Sequence, residues 1–311
     1  MSRVWGLHLG ILAALLALHV LLPTYHHGQV ARILVLAVYA MGYNILFGYT
    51  GLLSLGHAMF FAAGMYGMGL SVQHLGLGGG AGFAIGILAA LGVGLIVGLL
   101  ALRTIGVAFM IVTLMFSQAG YLTILYFGTW TRGDEGFVVP AAARQIAGLD
   151  LSQADPRYLA AFGLFAVTLL IKLWLVQAPE GRVMIAIREN EERARMLGYD
   201  TWRHKLIAVV VSAGFAGAAG AAYGLLFGYV GASFAHVPYS IFPLLWVLLG
   251  GVGTVLGPLI GTAFMVYLID YASGITDAYM LIVGVALVGL TLFARHGIMG
   301  LVRGRFAPWL P

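Results

Sequence analysis

The sequence predicts an all-α polytopic membrane protein with about ten transmembrane helices, and three observations support this prediction. Hydrophobic residues make up 61% of the chain and charged residues only 9%, against roughly 45–50% and 25% in soluble domains. The apolar residues occur in runs of about 20, the length of one membrane-spanning helix. The charged residues are concentrated in one interior segment, 177–205, which holds 11 of them. This composition excludes a soluble globular fold.

Ten apolar segments are assigned as spans. They cover residues 4–22, 30–47, 52–73, 81–103, 106–128, 158–176, 206–230, 239–250, 257–273 and 278–294. The eighth is too short to cross a bilayer alone and should continue into 250–254. The first follows Arg3 like the core of a signal peptide, but no small-x-small cleavage site follows, so it is interpreted as an uncleaved span. Residues 1–311 are interpreted as one transmembrane domain.

The distribution of basic residues predicts the orientation. With segment 177–205 placed in the cytoplasm, both termini are cytoplasmic, and 12 Lys and Arg lie inside against four outside. Cytoplasmic loops carry such an excess. In this tally Lys172 counts as inside and Arg32 as outside. The longest outer connection, 129–157, is interpreted either as a surface for an external partner or as a solvated loop.

The interior segment 177–205 has the pattern of an amphipathic helix. Glu189 with Arg193, and Glu191 with Arg195, are i,i+4 pairs in the favourable order, and Gly198 is a plausible helix stop. We predict one short rigid helix at the membrane surface that docks on a soluble partner, the alternative being a helix that rests on lipid headgroups. Its mostly apolar stripe consists of Val183, Ile187, Asn190, Ala194 and Leu197.

Two glycine-rich segments, near 44–57 and 250–258, predict broken helices. Broken helices are acceptable at membrane depth where they line a cavity or are buried by protein. The first reading makes the polar residues here part of a solute pathway. The second makes them a glycine-rich packing interface, with His57 a satisfied packing residue. The candidate pathway residues are Asn44, Gly51, Ser54, Gly56, His57, Thr113, Tyr121, Gly250 and Gly253.

Within the interior segment, Glu192-Arg193-Ala194 followed by Gly198 resembles the "EAA" loop through which ABC import permeases dock on their ATPases. Arg193 at the second small position departs from that pattern, and no Ile-x-Leu-Pro follows. The candidate coupling residues are Gly181, Arg182, Val183, Ile187, Arg188, Glu189, Glu192, Ala194, Leu197 and Gly198.

A wider set of motifs resembles one family. GYTGLLSLGHAMFFAAGMY, TRGDEGF, GRVMIAIRENEERARMLGYD, FAGAAGAAYG and GGVGTVLGP occur in the order found in the M-type membrane subunit of branched-chain amino acid ABC importers. The resemblance covers about residues 30–303. It implies import of hydrophobic amino acids or, as in related sets, of urea, short amides or aromatic acids.

The same resemblance implies the partners and the location. The partners are a second homologous permease, two cytoplasmic ATPases that bind ATP and Mg, and a periplasmic binding protein; the location is a bacterial inner membrane. No cofactor or metal is expected in this chain. One departure is that relatives carry Thr-Gly-Gly where this chain has Thr131-Arg132-Gly133, which affects the conformation of the outer loop.

Other function classes have less support in the residues. The only lysines, Lys172 and Lys205, are not part of a G-x-x-x-x-G-K-[ST] sequence, so this chain is not expected to hydrolyse ATP. An ion-coupled secondary transporter generally needs ionisable residues within its spans, and the sequence offers few. A membrane enzyme is disfavoured because no paired catalytic carboxylates, HExxH or G-x-S-x-G pattern occurs.

Overall fold

The fold was obtained as a computed structural model that describes residues 2–146, 148–276, 278, 281–285, 288–289 and 297–305. Most of this part of the chain is helical. The helices of eight or more residues are α1 Ser2–Leu21, α2 Thr24–Asn44, α3 His57–Leu75, α4 Gly79–Ala101, α5 Val107–Tyr126, α7 Ala154–Gln177, α8 Pro179–Glu189, α10 Thr201–Phe227, α11 Val237–Gly250, α12 Gly257–Ser273 and α13 Gly297–Arg305. The shorter helices are α6 Gly128–Thr131 and α9 Glu191–Met196.

Six of the described helices are long and apolar enough to cross a membrane, by length and composition alone: α1, α2 with the segment that continues it, α4, α5, α7 and α10. This supports a polytopic all-α membrane protein but not the expected ten spans. The glycine breaks leave α11 with 14 residues and α12 with 17. Helix α3 has 19 residues but contains polar ones. Most of the predicted tenth span lies outside the described residues.

The protein core forms around α2 and α10, the most buried of the spanning helices. Helix α10 packs against α3 and α4, and α2 packs against α7, α10, α11 and α12. Small residues allow the close approach: a Cβ atom at Gly64 of α3 would overlap the backbone of Gly217 in α10. Close helix contacts of this kind are typical of membrane bundles, where packing replaces the hydrophobic effect. Helices α1, α4 and α5 expose most of their surface.

The long connection 129–157 folds onto the end of α10. Its strand β1 (Phe137–Val138) pairs antiparallel with β4 (Tyr229–Val230), and a two-residue hairpin is formed by β2 (Gln145–Ile146) and β3 (Leu149–Asp150). Arg144 donates hydrogen bonds to the carbonyls of Leu225 and Leu226, at 2.8 and 2.7 Å. These carbonyls end α10 and have no intrahelical donor. The connection is therefore more than a solvated loop, because it caps a core helix.

Two of the basic residues counted in predicting the orientation lie inside helices in the structure. Arg32 lies two turns inside α2, and Lys172 lies inside α7 and is fully buried. Neither therefore belongs to a connecting loop. The orientation stays a prediction that rests on the remaining Lys and Arg.

Candidate functional site: the two helix breaks and the inner loop

Two interrupted helices meet in the core. Helix α2 continues into a π-helical turn, Ile45–Tyr49, and residues 51–56 are non-helical before α3 begins. Helix α11 ends at Gly250, and residues 251–256 are non-helical before α12 begins. Both predicted breaks are therefore present, and we call them the first break (45–56) and the second break (251–256).

Asn44 joins the two breaks. Its Nδ2 donates to the carbonyl of Thr254 at 2.7 Å, and its Oδ1 accepts from the Gly253 amide at 3.0 Å. The side chain is fully buried. Backbone groups released from a helix at membrane depth need partners, because an unpaired buried amide or carbonyl is costly. One amide side chain satisfies one donor and one acceptor of the second break.

Lys172 supplies the next two hydrogen bonds to the second break. Its Nζ donates to the carbonyls of Thr254 and Val255, both at 3.3 Å, and lies 5.7 Å from the centroid of the Tyr49 ring. The side chain is fully buried and forms no ion pair with a described residue. The sequence analysis missed this role, although a single lysine in the apolar run LLIKLW is a recognisable signal of a functional intramembrane residue.

The first break holds its own backbone groups. The Tyr43 hydroxyl donates to the Ser54 carbonyl at 3.0 Å, the Gly56 amide donates to Ser54 Oγ at 3.2 Å, and the Leu55 amide donates to Thr113 Oγ1 at 3.2 Å. Ser54 and Thr113 are buried. Gly56 is packed against the backbone of Thr113, and Gly51 has a positive φ of 78°. These polar residues hold the backbone of the break.

His57 begins α3 and is fully buried. Its Nε2 lies 2.8 Å from Ser212 Oγ, and Ser212 Oγ in turn donates to the Gly42 carbonyl at 2.6 Å. Because the serine hydroxyl proton is used on Gly42, the histidine must donate from Nε2. Its Nδ1 then carries the lone pair, and no described residue bonds to it. His57 therefore links α2, α3 and α10.

In this conformation Asn44, Ser54, His57 and Thr113 are closed off from solvent, so they match the packing alternative. Their pathway role stays a prediction for another conformation or for the assembled protein. Gly250 packs directly against Gly257, and Gly253 has a positive φ of 69°. Tyr121 is half-buried and makes an edge contact with His236, with centroids 5.2 Å apart.

Segment 177–205, called the inner loop after its predicted side of the membrane, differs from the single helix that was expected. Helix α8 ends at Glu189, Asn190 is extended (φ −161°, ψ 102°), and α9 begins at Glu191. The physical reason is capping: Asn190 Oδ1 accepts from the Arg193 amide at 2.8 Å, and asparagine is a preferred N-cap residue. A helix interior would have left that side chain without this bond. The two helices meet at an angle.

The interruption at Asn190 divides the expected apolar stripe and the expected ion pairs. Val183, Ile187 and Ala194 form a small buried cluster, but Leu197 is 70% exposed and Asn190 is a cap. Among the described residues Glu191 pairs with Arg195 at 3.3 Å and with Lys205 of α10, whereas Glu189 and Arg193 form no such pair. Gly198 ends α9 with a positive φ of 89°, as predicted.

Other coupling candidates are placed on both faces of the loop. Gly181 is buried against the end of α7, while Arg182, Glu189 and Glu192 are exposed. The exposed end of the loop is apolar and aromatic. It consists of Met196, Leu197, Tyr199 and Trp202, whose exposures are 80%, 70%, 44% and 44%.

Arg188 connects the inner loop to both breaks. Its Nη1 donates to the carbonyl of Gly48 in the first break. Its side chain also lies against Gly51 and Gly253, where a Cβ atom would come within 3.2 Å of Arg188 Cγ and 2.8 Å of Nη1. Glycine at these two positions therefore makes room for the Arg188 side chain. Through Arg188, one coupling candidate contacts the pathway candidates Gly51 and Gly253.

The comparisons with known proteins agree with this architecture. The family model described as "Branched-chain amino acid transport system / permease component" matches residues 28–294. The chain belongs to this family of transport permeases. No solved structure matches the chain.

Individual relatives of this permease are moderately similar. It is 29% identical over 289 residues to the "High-affinity branched-chain amino acid transport system permease protein LivM" of Escherichia coli (strain K12), a match that covers 86% of this chain and 68% of the relative. The protein of the same description from Salmonella typhimurium (strain LT2) is 28% identical with the same coverage. A "Probable branched-chain amino acid transport permease protein LivM" of Methanocaldococcus jannaschii is 32% identical over 112 residues, 32% of each chain.

One cluster of possible metal ligands occurs among the described residues of this permease. His19, His27 and Asp155 place their ligand atoms within 4.8 Å of one another. His27 Nδ1 lies 2.9 Å from Asp155 Oδ1, and its Nε2 lies 3.1 Å from the Leu22 carbonyl. These bonds account for His27 as a residue that ties the connection between α1 and α2 to the start of α7.

Proposed function

We propose that this permease is the M-type membrane subunit of an ATP-driven importer of branched-chain and other hydrophobic amino acids. The contact between Arg188 and Gly48 carries the proposal, because it connects the inner loop to the interrupted helices by a direct hydrogen bond. A displacement of α8 would move the carbonyl of a helix break rather than a lipid-facing surface. ATP and Mg bind to partner subunits, so this chain contributes no catalytic residue.

The proposed assembly contains a second homologous permease, two cytoplasmic ATPases and a periplasmic binding protein in a bacterial inner membrane. The termini and the loop 177–205 face the cytoplasm, and the loop 129–157 faces the periplasm. The exposed apolar residues Met196 and Leu197 support a protein partner at the inner loop, because exposed apolar patches mark contact sites.

The test is uptake into liposomes that contain this chain, the sister permease, the ATPases and the binding protein. We expect ATP-dependent uptake of L-leucine, and equal uptake without ATP would reject the proposal. Parallel measurements with urea, a short amide and an aromatic acid decide among the related substrate classes.

Two substitutions test the coupling role of the inner loop. Ile187→Asp places a charge in the buried cluster with Val183 and Ala194, and Gly198→Pro is incompatible with a φ of 89°. Both should lower uptake per ATP hydrolysed while the chain still inserts in the membrane. Arg203→Ala, at an exposed residue of the same loop that is not a coupling candidate, is the matched control. Normal transport in the first two variants would refute the coupling role.

An ion-coupled secondary transporter is the second candidate, and buried Lys172 is the observation in its favour. Its two bonds to backbone carbonyls explain the residue structurally, which favours the ATP-driven proposal. Uptake that collapses with an uncoupler while ATP persists would instead support ion coupling.

A further inference from the structure

A cavity of about 430 Å³ opens between α2, α10, α11 and α12 on the side of the molecule that holds the 129–157 connection. Small-molecule sites in proteins have volumes of roughly 300–1,000 Å³. The inner-loop contacts lie at the opposite ends of these helices. The residues that line the cavity include Gln29, Arg32, Tyr223, Phe242, Trp246 and Asp270.

Two opposite charges line this cavity without pairing with each other. Arg32 donates from Nε and Nη2 to the Tyr223 hydroxyl, at 3.3 and 3.1 Å. Asp270 Oδ1 accepts from Gln29 Nε2 at 3.2 Å. In the described part of the chain, neither charge forms an ion pair. Each charge is thus held by a neutral neighbour, which leaves Arg32 Nη1 and Asp270 Oδ2 available to a ligand.

The remaining wall is aromatic. Phe242 and Trp246 are stacked with centroids 6.0 Å apart, and Tyr223 lies against Phe234 at 5.1 Å. The Trp246 indole nitrogen is buried, and no described residue accepts its proton. The cavity therefore combines one cation, one anion and a largely apolar wall.

We propose that Arg32 and Asp270 form a subsite for a zwitterionic α-amino acid with an apolar side chain. The guanidinium group would bind the carboxylate, Asp270 the ammonium group, and the wall of Phe242 and Trp246 the side chain. Urea and short amides carry neither charge, and an aromatic acid would use Arg32 alone. The inference rests on the proposed transport function and narrows its substrate class.

Direct binding to the full chain in lipid nanodiscs tests the subsite without a receptor or an ATPase. The probes are L-leucine, 3-methylbutylamine, 4-methylpentanoate and urea, followed by saturation-transfer NMR. Leucine should bind at least about tenfold more tightly than either singly charged analogue, since a hydrogen bond to a charged group contributes a factor of roughly 10 to 100. Equal affinity for leucine and 3-methylbutylamine would overturn the proposal.

Variants of Arg32 and Asp270 test whether these two residues bind the probes. Arg32→Gln should weaken leucine binding about tenfold and leave binding of 3-methylbutylamine unaffected. Asp270→Asn should also weaken leucine binding about tenfold, but leave binding of 4-methylpentanoate unaffected. Arg32→Lys should restore part of the leucine affinity. Arg132→Gln lies outside the cavity and serves as the matched control, and thermal melting curves report folding of every variant. Unchanged leucine affinity in both charge-removing variants would assign the binding to another surface.

The outcome is separable from that of the proposed function. ATP-driven leucine uptake that is normal in Arg32→Gln and Asp270→Asn, tested below saturation, would reject the subsite and leave the importer intact. Absence of ATP-driven uptake in the wild-type assembly would reject the importer, whatever the nanodiscs bind.

Discussion

The first and second breaks are similar in sequence but are held together in different ways. In the first break, Tyr43 and Ser54 bond from nearby in sequence, and Thr113 and Arg188 bond from 58 and 140 positions away. Within the second break, Thr254 Oγ1 bonds to the Gly251 carbonyl at 2.8 Å and the Gly257 amide at 3.1 Å, but its other groups depend on distant residues. Asn44 reaches it across 210 positions of sequence and Lys172 across 82.

This difference suggests that the first break takes part in coupling, whereas the second break is held in place by the core. Arg188 of the inner loop donates to the first break, and Asn44 at the end of α2 carries that contact to the second. The second break is fixed by two helices of the core, α2 and α7. We therefore expect substitutions at the second break to act on stability, and substitutions at the first break to act on coupling.

The largest effect is expected from Asn44→Ala. The change leaves the Gly253 amide without its partner and the Thr254 carbonyl with Lys172 as its one remaining donor among the described residues, so the free energy of unfolding in detergent should fall by about 2–3 kcal/mol. Thermal and denaturant melts measure the loss. Asn190→Ala, which removes an exposed cap, should cost only about 0.5–1 kcal/mol. Equal losses in the two variants would contradict the special role of the second break.

Lys172→Met should come next and lower the unfolding free energy by about 1–2 kcal/mol, because the Val255 carbonyl loses its donor and the Thr254 carbonyl keeps only Asn44, while the side-chain volume is retained. Lys205→Met is the control, since its partner Glu191 is partly exposed and still has Arg195. A more stable Lys172→Met protein would show that burying the ammonium group costs more than its two bonds return.

Arg188→Gln should affect ATP-driven uptake more than it affects the unfolding free energy. The side chain is largely exposed, so the unfolding free energy should change by less than about 1 kcal/mol. Uptake per ATP hydrolysed should fall about tenfold or more. Arg203→Gln, at an exposed arginine of the same loop whose side chain forms no hydrogen bond or ion pair with a described residue, should behave like wild type. A large loss of stability in Arg188→Gln would show that Arg188, like Asn44 and Lys172, mainly stabilises the fold.

A smaller effect is expected at Glu191. Burial raises the pKa of this carboxyl, but hydrogen bonds with Lys205 and Thr201 and the charges of Lys205 and Arg195 together hold the pKa below its ordinary value of 4.5. The stabilisation of α9 is therefore present above the ordinary value and is lost as the pH falls through the lowered one. Glu191→Gln should remove this pH dependence, worth about 0.5–1 kcal/mol. Hydrogen exchange of the α9 amides between pH 6 and acid follows it; an unchanged acid response in the variant would contradict the assignment.

An effect of similar size is expected at Arg132, which lies outside both breaks. It has a φ of 60°, the left-handed conformation that favours glycine. The glycine that the resemblance implies at this position would adopt this conformation without strain. Arg132→Gly should raise the unfolding free energy by about 0.5–1 kcal/mol, measured in the same melts. Arg144→Gly should instead destabilise the protein, because it removes the cap of α10.

The sequence was informative about where helices stop and less informative about which residues hold the stops. Glycine clusters predicted both breaks, and Gly198 predicted the end of α9, because these features depend on local backbone freedom. The partners of Thr254 could not be read from spacing, since Asn44 and Lys172 reach it from other helices. The same reason explains Asn190: its spacing fits an apolar stripe, but its side chain forms a cap.

Helix α10 contacts both the 129–157 connection and the inner loop, as does α7. Its end at Phe227 is capped by Arg144, and its beginning carries Lys205, bonded to Glu191. A helix of 27 residues is about 40 Å long and stiff along its axis. A partner that displaces the 129–157 connection would therefore displace α9 through one uninterrupted helix.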